Sequence, residues 1–171
     1  MTGRWLLAIA TLPLPVTVLI PAGVLFLFRH SRWTHTPAVL SSAAFWLGAT
    51  ASIGGLALAT WSVFAFARFG DGTPAPWDPP SRFVPHGPYR FVRNPMILGV
   101  FFILLGESLA LLSWPLFAWF VLFALGNGLY IPFIEEKGLA KRFGKTYLQY
   151  KEQVPRWLPR RTAWQPGKRN T

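Results

Sequence analysis

Long apolar runs alternate with short polar knots along this chain, and the alternation lays out its elements. Apolar residues run from Trp5 to Phe28, Pro37 to Phe69, Met96 to Ser113 and Pro115 to Ile134. About 20 residues rising 1.5 Å apiece cross a hydrocarbon layer of ~30 Å, so each run is a candidate membrane helix. The expected fold is an all-α integral membrane protein of about four transmembrane helices, with room for a fifth in the N-terminal half. The first run follows Arg4 and imitates a signal peptide, yet it exceeds a typical h-region. Pro13, Pro15 and Pro21 predict that it is retained and kinked. In the second run, Gly48, Ala49, Ser52, Gly54 and Gly55 predict the close approach of another helix.

The connectors divide the chain. Arg29 to Thr36 is a short polar link, and Gly70 to Pro80 is rich in Gly, Pro and Asp, which predicts a loop. The last two apolar runs contain no Lys or Arg and are joined at Ser113-Trp114-Pro115. So short a connection predicts a helical hairpin whose two ends emerge on one membrane face. Two polar knots therefore share that face: residues 81–95 before the hairpin, and Glu135-Glu136 after it. Further on, Leu139, Phe143, Tyr147 and Tyr150 recur at helical spacing, with Lys141, Arg142, Lys145 and Lys151 between them. They predict a helix from 135 to about 152 lying at the membrane surface. Val154-Pro155 ends it, Trp157 suits an interfacial anchor, and residues 162–171 read as a disordered basic tail. The 171 residues suit one domain. By function they divide into N-terminal membrane helices, 1–70, and a half carrying the chemistry, 71–171.

Composition narrows the classes. No cysteine is present, which excludes disulfides, thiolate nucleophiles and cysteine-ligated metal centres. The formal net charge is +11, and ten of the seventeen Lys and Arg residues follow residue 134. Such a cluster suits anionic lipid headgroups. No base-reading motif accompanies it, so nucleic acid is not expected as a partner. The positive-inside rule places the face bearing both knots in the cytoplasm, although four spans then leave Arg29 and Arg32 outside.

Candidate chemistry gathers at the knots. No glycine-rich strand-to-helix loop supports a nucleotide site of Rossmann or Walker type. No metal site is expected: His30 and His35 lie in the opposite connector, and His86 has no companion ligand. Gly87-Pro88-Tyr89 reads as a turn back to the membrane, and Pro95 suits the first position of a helix. The backbone donors of that helix start, with Asn94, can hold a polar ligand. Arg90 and Arg93 have a blander reading as markers of the headgroup boundary. Glu135 and Glu136 repel one another and require local cations, which the arginines can supply; a structural ion-pair network is the alternative to a ligand site. Glu107, inside the third apolar run, reads as a protonated or hydrogen-bonded packing residue, with Asn127 as its candidate partner.

Beyond these spacings, Gly87-Pro88-Tyr89-Arg90-Phe91-Val92-Arg93-Asn94-Pro95-Met96 with Gly99 resembles the signature of the isoprenylcysteine carboxyl methyltransferase family. Glu135-Glu136, Phe143-Gly144, Tyr147, Tyr150 and Val154-Pro155-Arg156-Trp157 extend the resemblance over roughly residues 81–160. Phospholipid N-methyltransferases share a looser version. The resemblance implies a membrane methyltransferase that uses S-adenosylmethionine and acts on a lipophilic acceptor: a prenylcysteine-type carboxylate, a lipid amine or a thiol. It implies a cofactor pocket lined by Phe83, Val84, Tyr89, Asn94, Pro95, Met96, Ile97 and Glu135. No catalytic residue is carried over; Glu136, Arg90 and Arg93 are the candidates. Eukaryotic members carry His at Asn94 and, four residues before the first Glu, Arg at Ile131; the second departure weighs against a carboxylate acceptor. Two readings compete: an NADPH-dependent membrane sterol or enone reductase, and a non-catalytic membrane scaffold.

Overall fold

The computed structural model describes Thr11 and residues 13–31, 42–70 and 81–165, and the regular structure among them is helical, with turns and one extended strap. Five α-helices follow in order: α1 (Ile20–Leu27), α2 (Ala43–Phe69), α3 (Pro95–Ala110), α4 (Trp114–Tyr130) and α5 (Glu136–Gln153). A π-helical turn, Pro15–Leu19, leads into α1, a second, Ile131–Glu135, joins α4 to α5, and a 3-10 turn spans Gly87–Arg90. Among the described residues two helices are long and apolar enough to cross a membrane, Ala43–Phe69 and the continuous Trp114–Gln153; Pro15–Leu27 and Pro95–Ala110 are shorter apolar helices. The expectation of four spans is thus met by length in two of them. Trp46, Leu47, Ile53, Phe64, Leu122, Leu125 and Leu129 are all at least half exposed along the two long helices. Outward apolar faces of that extent suit lipid rather than water.

α2 begins where Ser42 adopts extended backbone and its hydroxyl accepts from Phe45 N–H at 3.2 Å. The expected start at Pro37 lies outside the described residues. α2 packs antiparallel on α3 in the most extensive helix contact of the molecule. The small residues explain why. A Cβ on Gly55 would sit 2.5 Å from Gly99 O, one on Gly99 2.7 Å from Gly55 O, and one on Gly106 2.5 Å from Gly48 O. Gly48 meets Gly106 in the same way, so two glycine pairs, seven residues apart on each helix, bring the backbones together. Ser52 joins this seam by donating to Ile103 O at 3.4 Å. Gly54 does not: nothing lies within 4 Å of a Cβ there, because it points 100° away from its neighbour Gly55.

The hairpin turn is Leu111-Leu112-Ser113 rather than Ser113-Trp114-Pro115. Leu112 takes a positive φ of 45°, and Ser113 caps α4 by accepting from Leu116 N–H at 3.5 Å. Trp114 and Pro115 already belong to the first turn of α4, where the missing proline N–H costs little. Asn127 does not serve Glu107; its amide donates to Phe123 O at 2.9 Å within α4. At the other end of the chain, the π-turn places Pro21 five residues after Val16. Proline has no N–H to give Val16 O, and the Trp119 indole supplies one at 3.2 Å, tying the first helix to α4.

α5 forms as its periodicity predicts, bent at Gly144, whose φ of +54° suits glycine. Its apolar stripe is not laid on lipid. Tyr147 and Tyr150 pack with Val154 and Trp164 in a core flanked by Phe83, Leu139, Ala140 and Phe143. Trp164, only 5 % exposed, overturns the reading of a disordered tail from residue 162. Residues 166–171 of that segment lie outside the described residues.

Candidate active site

The strap 154–165 binds the turn 87–93 by a ladder of backbone bonds. Arg93 N–H donates to Pro155 O at 2.9 Å, Arg160 N–H to Phe91 O at 3.0 Å, and Trp164 N–H to Arg90 O at 2.9 Å. Arg90 returns a bond from Nε to Trp164 O at 2.9 Å, and the Trp164 indole donates to Gln153 Oε1 at 2.9 Å. The Tyr150 hydroxyl donates to Tyr89 O at 2.6 Å from α5. All but the Trp164–Gln153 bond join residues more than 60 positions apart in sequence. Three elements are thereby locked at one end of the bundle: the 3-10 turn, the start of α3 and the strap.

Glu136 is the electrostatic centre of this end. It is 3 % exposed and holds three cations: Arg93 Nη1 and Arg156 Nε each donate to Oε1 at 2.7 Å, and Lys151 Nζ lies 2.8 Å from Oε2. Burial pushes its carboxyl up, but the bonds from Arg156 and Lys151 and the charges of Arg93 and Arg156 outweigh that and hold it below the ordinary glutamate value. The Arg93–Glu136 pair also joins the two ends of the hairpin, as the shared-face argument requires. Glu135 is half-buried beside it; burial first, and then the Glu136 charge, raises its pKa. Burial likewise pushes Tyr147 up to about 12 and raises Tyr89 and Tyr150, so all three stay neutral phenols able to donate.

The sequence-predicted pocket residues lie in the segment before α3, in its first turn and, for Glu135, in the π-turn. Val84, Tyr89 and Pro95 are buried; Phe83, Asn94, Met96 and Ile97 are half-buried. Phe83 sets its ring edge-on to Tyr147 and Tyr150, with centroids at 5.9 and 5.0 Å. Tyr89 meets Phe66 of α2 edge-on at 5.1 Å. Asn94 is the N-cap residue of α3, yet its side chain caps nothing, and Nδ2 is buried without a protein partner among the described residues. The N–H groups of Met96 and Ile97 open the same helix, where no preceding turn can accept from them. Arg93 Nε is a further buried donor without a protein partner among the described residues.

The three catalytic candidates, Glu136, Arg90 and Arg93, are all engaged by protein groups. Sequence reasoning missed Lys151 and Arg156 as partners of Glu136, and Arg160 and Trp164 as partners of the turn. The periodicity of α5 puts Lys151 near the end of a helix begun by Glu136, but only the Gly144 bend brings it back. Two surface grooves lie elsewhere. One of 790 Å³ runs along α2 past Trp46, Thr50, Gly54 and Phe102, and one of 370 Å³ lies between Phe28, Trp114 and Trp119. Both are almost wholly apolar and offer none of the polar partners found at Asn94 and Glu135.

Comparison with curated proteins and with solved structures gives no match. The family model described as phospholipid methyltransferase matches residues 43–146, from the start of α2 into α5. That span contains the glycine seam, the helix start at Asn94 and both glutamates, and the chain belongs to the phospholipid methyltransferase family of membrane methyltransferases.

Proposed function

We propose that the protein transfers the methyl group of S-adenosylmethionine to a lipophilic acceptor, at a site between the start of α3 and Glu135. The observation that carries this is Asn94. Its buried Nδ2, beside the open N–H groups of Met96 and Ile97, makes a set of donors that a polar cofactor satisfies. Half-buried Glu135 adds a carboxylate for an amino group, a ribose hydroxyl or a sulfonium. These residues fit the cofactor, with Val84 and Tyr89 as apolar walls. Bound there, S-adenosylmethionine supplies an electrophilic methyl on a positively charged sulfur.

The chain's own contribution is placement. Glu136 pins Arg93, the residue before Asn94, so the ion-pair centre sets the donors at the head of α3. Arg90 and the strap hold the preceding turn. Glu136, Arg90 and Arg93 are in this reading positioning residues. Close apposition of acceptor and donor, with water excluded, then supplies most of the acceleration. Ile131 is 1 % exposed and sealed into the π-turn, so no cation stands there to hold a carboxylate. A lipid amine or thiol suits the site better than a prenylcysteine carboxylate. All four apolar helices cross the bilayer in this reading, α1 and α3 as the shorter spans, with the ion-pair centre facing the cytoplasm.

Isothermal titration of the purified protein tests the proposal. S-adenosylhomocysteine binds and NADPH does not; Asn94→Ala and Glu135→Ala abolish binding while retaining the helical circular dichroism spectrum. Binding of NADPH instead favours a reductase, and a folded protein that ignores both favours a scaffold. Radiolabelled methyl transfer into membrane extracts, with identification of the labelled product, names the acceptor.

A further inference from the structure

The apolar stripe of α5 is consumed by protein, which leaves its outward face to be explained. The exposed surface of α5 carries Lys137 and Lys141 before the bend at Gly144 and Lys145 just after it, spaced four residues apart in sequence. Between Lys137 and Lys151 the sequence contains no Asp or Glu, and Glu136 is already taken by Arg93, Lys151 and Arg156. The three lysines thus have no acidic neighbour on their own helix to offset them.

Their distance from hydrocarbon is fixed by the helix they continue. Phe133 and Ile134, 61 % and 59 % exposed, are the last outward apolar residues before α5 begins. Lys137 Nζ stands 5.9 Å from the centroid of the Phe133 ring, at the border between apolar and polar surface. At 1.5 Å per residue, Lys141 lies about 6 Å further along α5, and Lys145 follows directly after the bend at Gly144, which turns the helix back toward Glu136. Lysine stems reach several ångströms more, so Lys137 and Lys141, and Lys145 just past the bend, are within reach of a headgroup layer that begins at Phe133.

We infer that Lys137, Lys141 and Lys145 form a docking stripe for anionic phospholipid headgroups of the adjoining leaflet. The stripe anchors α5, and with it Glu136, by charge, where the apolar stripe cannot. The positive surface attracts phosphate esters at a border that Phe133 defines, and the anionic phospholipid headgroup is the phosphate ester that a membrane holds there. Each lysine strengthens the preference for anionic over zwitterionic lipid by about five-fold.

The experiment needs neither cofactor nor activity, so its outcome is independent of the methyltransferase reading. The full chain is extracted from membranes in a neutral detergent, purified, and its retained phospholipids are compared with the bulk membrane. Wild-type protein and the triple Lys→Arg variant at 137, 141 and 145 retain anionic lipid in several-fold excess over bulk; K137Q/K141Q/K145Q returns to bulk composition. In nanodiscs, phosphatidylglycerol raises the unfolding midpoint of the wild type over phosphatidylcholine alone, and high salt removes the difference. The glutamine variant, folded by circular dichroism, shows no such difference. Equal retention by wild type and glutamine variant overturns the inference, as does full replacement of the lipid effect by inorganic phosphate or short RNA.

Discussion

Replacing Glu136 by Gln removes one charge from the centre of three cations and leaves the side-chain shape almost unchanged. Removing one partner of a buried ion pair costs about 3–5 kcal/mol, because the other charge is stranded. Here the partners are unequal: the side chain of Arg93 is 11 % exposed, that of Arg156 27 % and that of Lys151 41 %. Lys151 and Arg156 can turn to water, so the loss is dominated by Arg93, and glutamine keeps an acceptor for it. The lower end, about 3 kcal/mol, is therefore expected. Lys151→Gln, which removes an exposed partner, costs under about 1 kcal/mol. Unfolding in mixed micelles of rising sodium dodecyl sulfate fraction, followed by circular dichroism, measures both. The pH dependence provides a second check. The folded carboxyl lies below its unfolded value of about 4.3. Its contribution is then complete above that value and is lost as pH falls through the folded one. Wild-type stability should drop in that acid range more steeply than that of Glu136→Gln. A Glu136→Gln protein within about 0.5 kcal/mol of wild type at neutral pH would refute the assignment of Glu136 as the electrostatic centre.

Other substitutions probe the remaining contacts. Gly106→Ala forces a methyl against Ser52 and the Gly48 backbone and should cost about 1–3 kcal/mol in the same unfolding assay, whereas Gly54→Ala should be neutral or slightly stabilising. Trp164→Ala empties a buried position against Tyr150 and should cost about 3–5 kcal/mol, with earlier proteolysis of the strap as a second readout. Tyr150→Phe deletes the 2.6 Å bond to Tyr89 O and should cost about 1–3 kcal/mol, since that carbonyl is left buried without its donor. Equal effects of Gly54→Ala and Gly106→Ala would show that the α2–α3 seam is misassigned.

The sequence makes the long-range layout legible and leaves the facing of single residues obscure. The hairpin and the meeting of the knots follow from counting apolar residues, because a bilayer has a known thickness and a short turn must bring its helices back. Neighbours are harder. Gly54 and Gly55 are identical in composition, yet a 100° step along the helix puts one in the seam and the other on the surface. Glu135 and Glu136 differ in the same way: Glu136 points at three cations and Glu135 does not share them. Trp164 sits among basic and polar residues that read as solvent-exposed. Its burial depends on Arg90 and Gln153, partners that no local pattern reveals. Arg90, Arg93 and Glu136 were visible as candidates, but only their partners separate positioning from chemistry.

The strap also imposes an order on biogenesis. The turn 87–93 is made roughly 70 residues before Arg160 and Trp164, and synthesis proceeds at about 5–20 residues per second. For about 4–14 s the turn and the head of α3 emerge without the segment that will hold them. During that interval the hairpin can insert while Arg90 and Arg93 remain free to interact with the nascent membrane surface. Trp164 then acts as a latch: once it seats against Tyr150 and bonds Arg90, the turn that leads into α3 gains the last of the contacts that fix it.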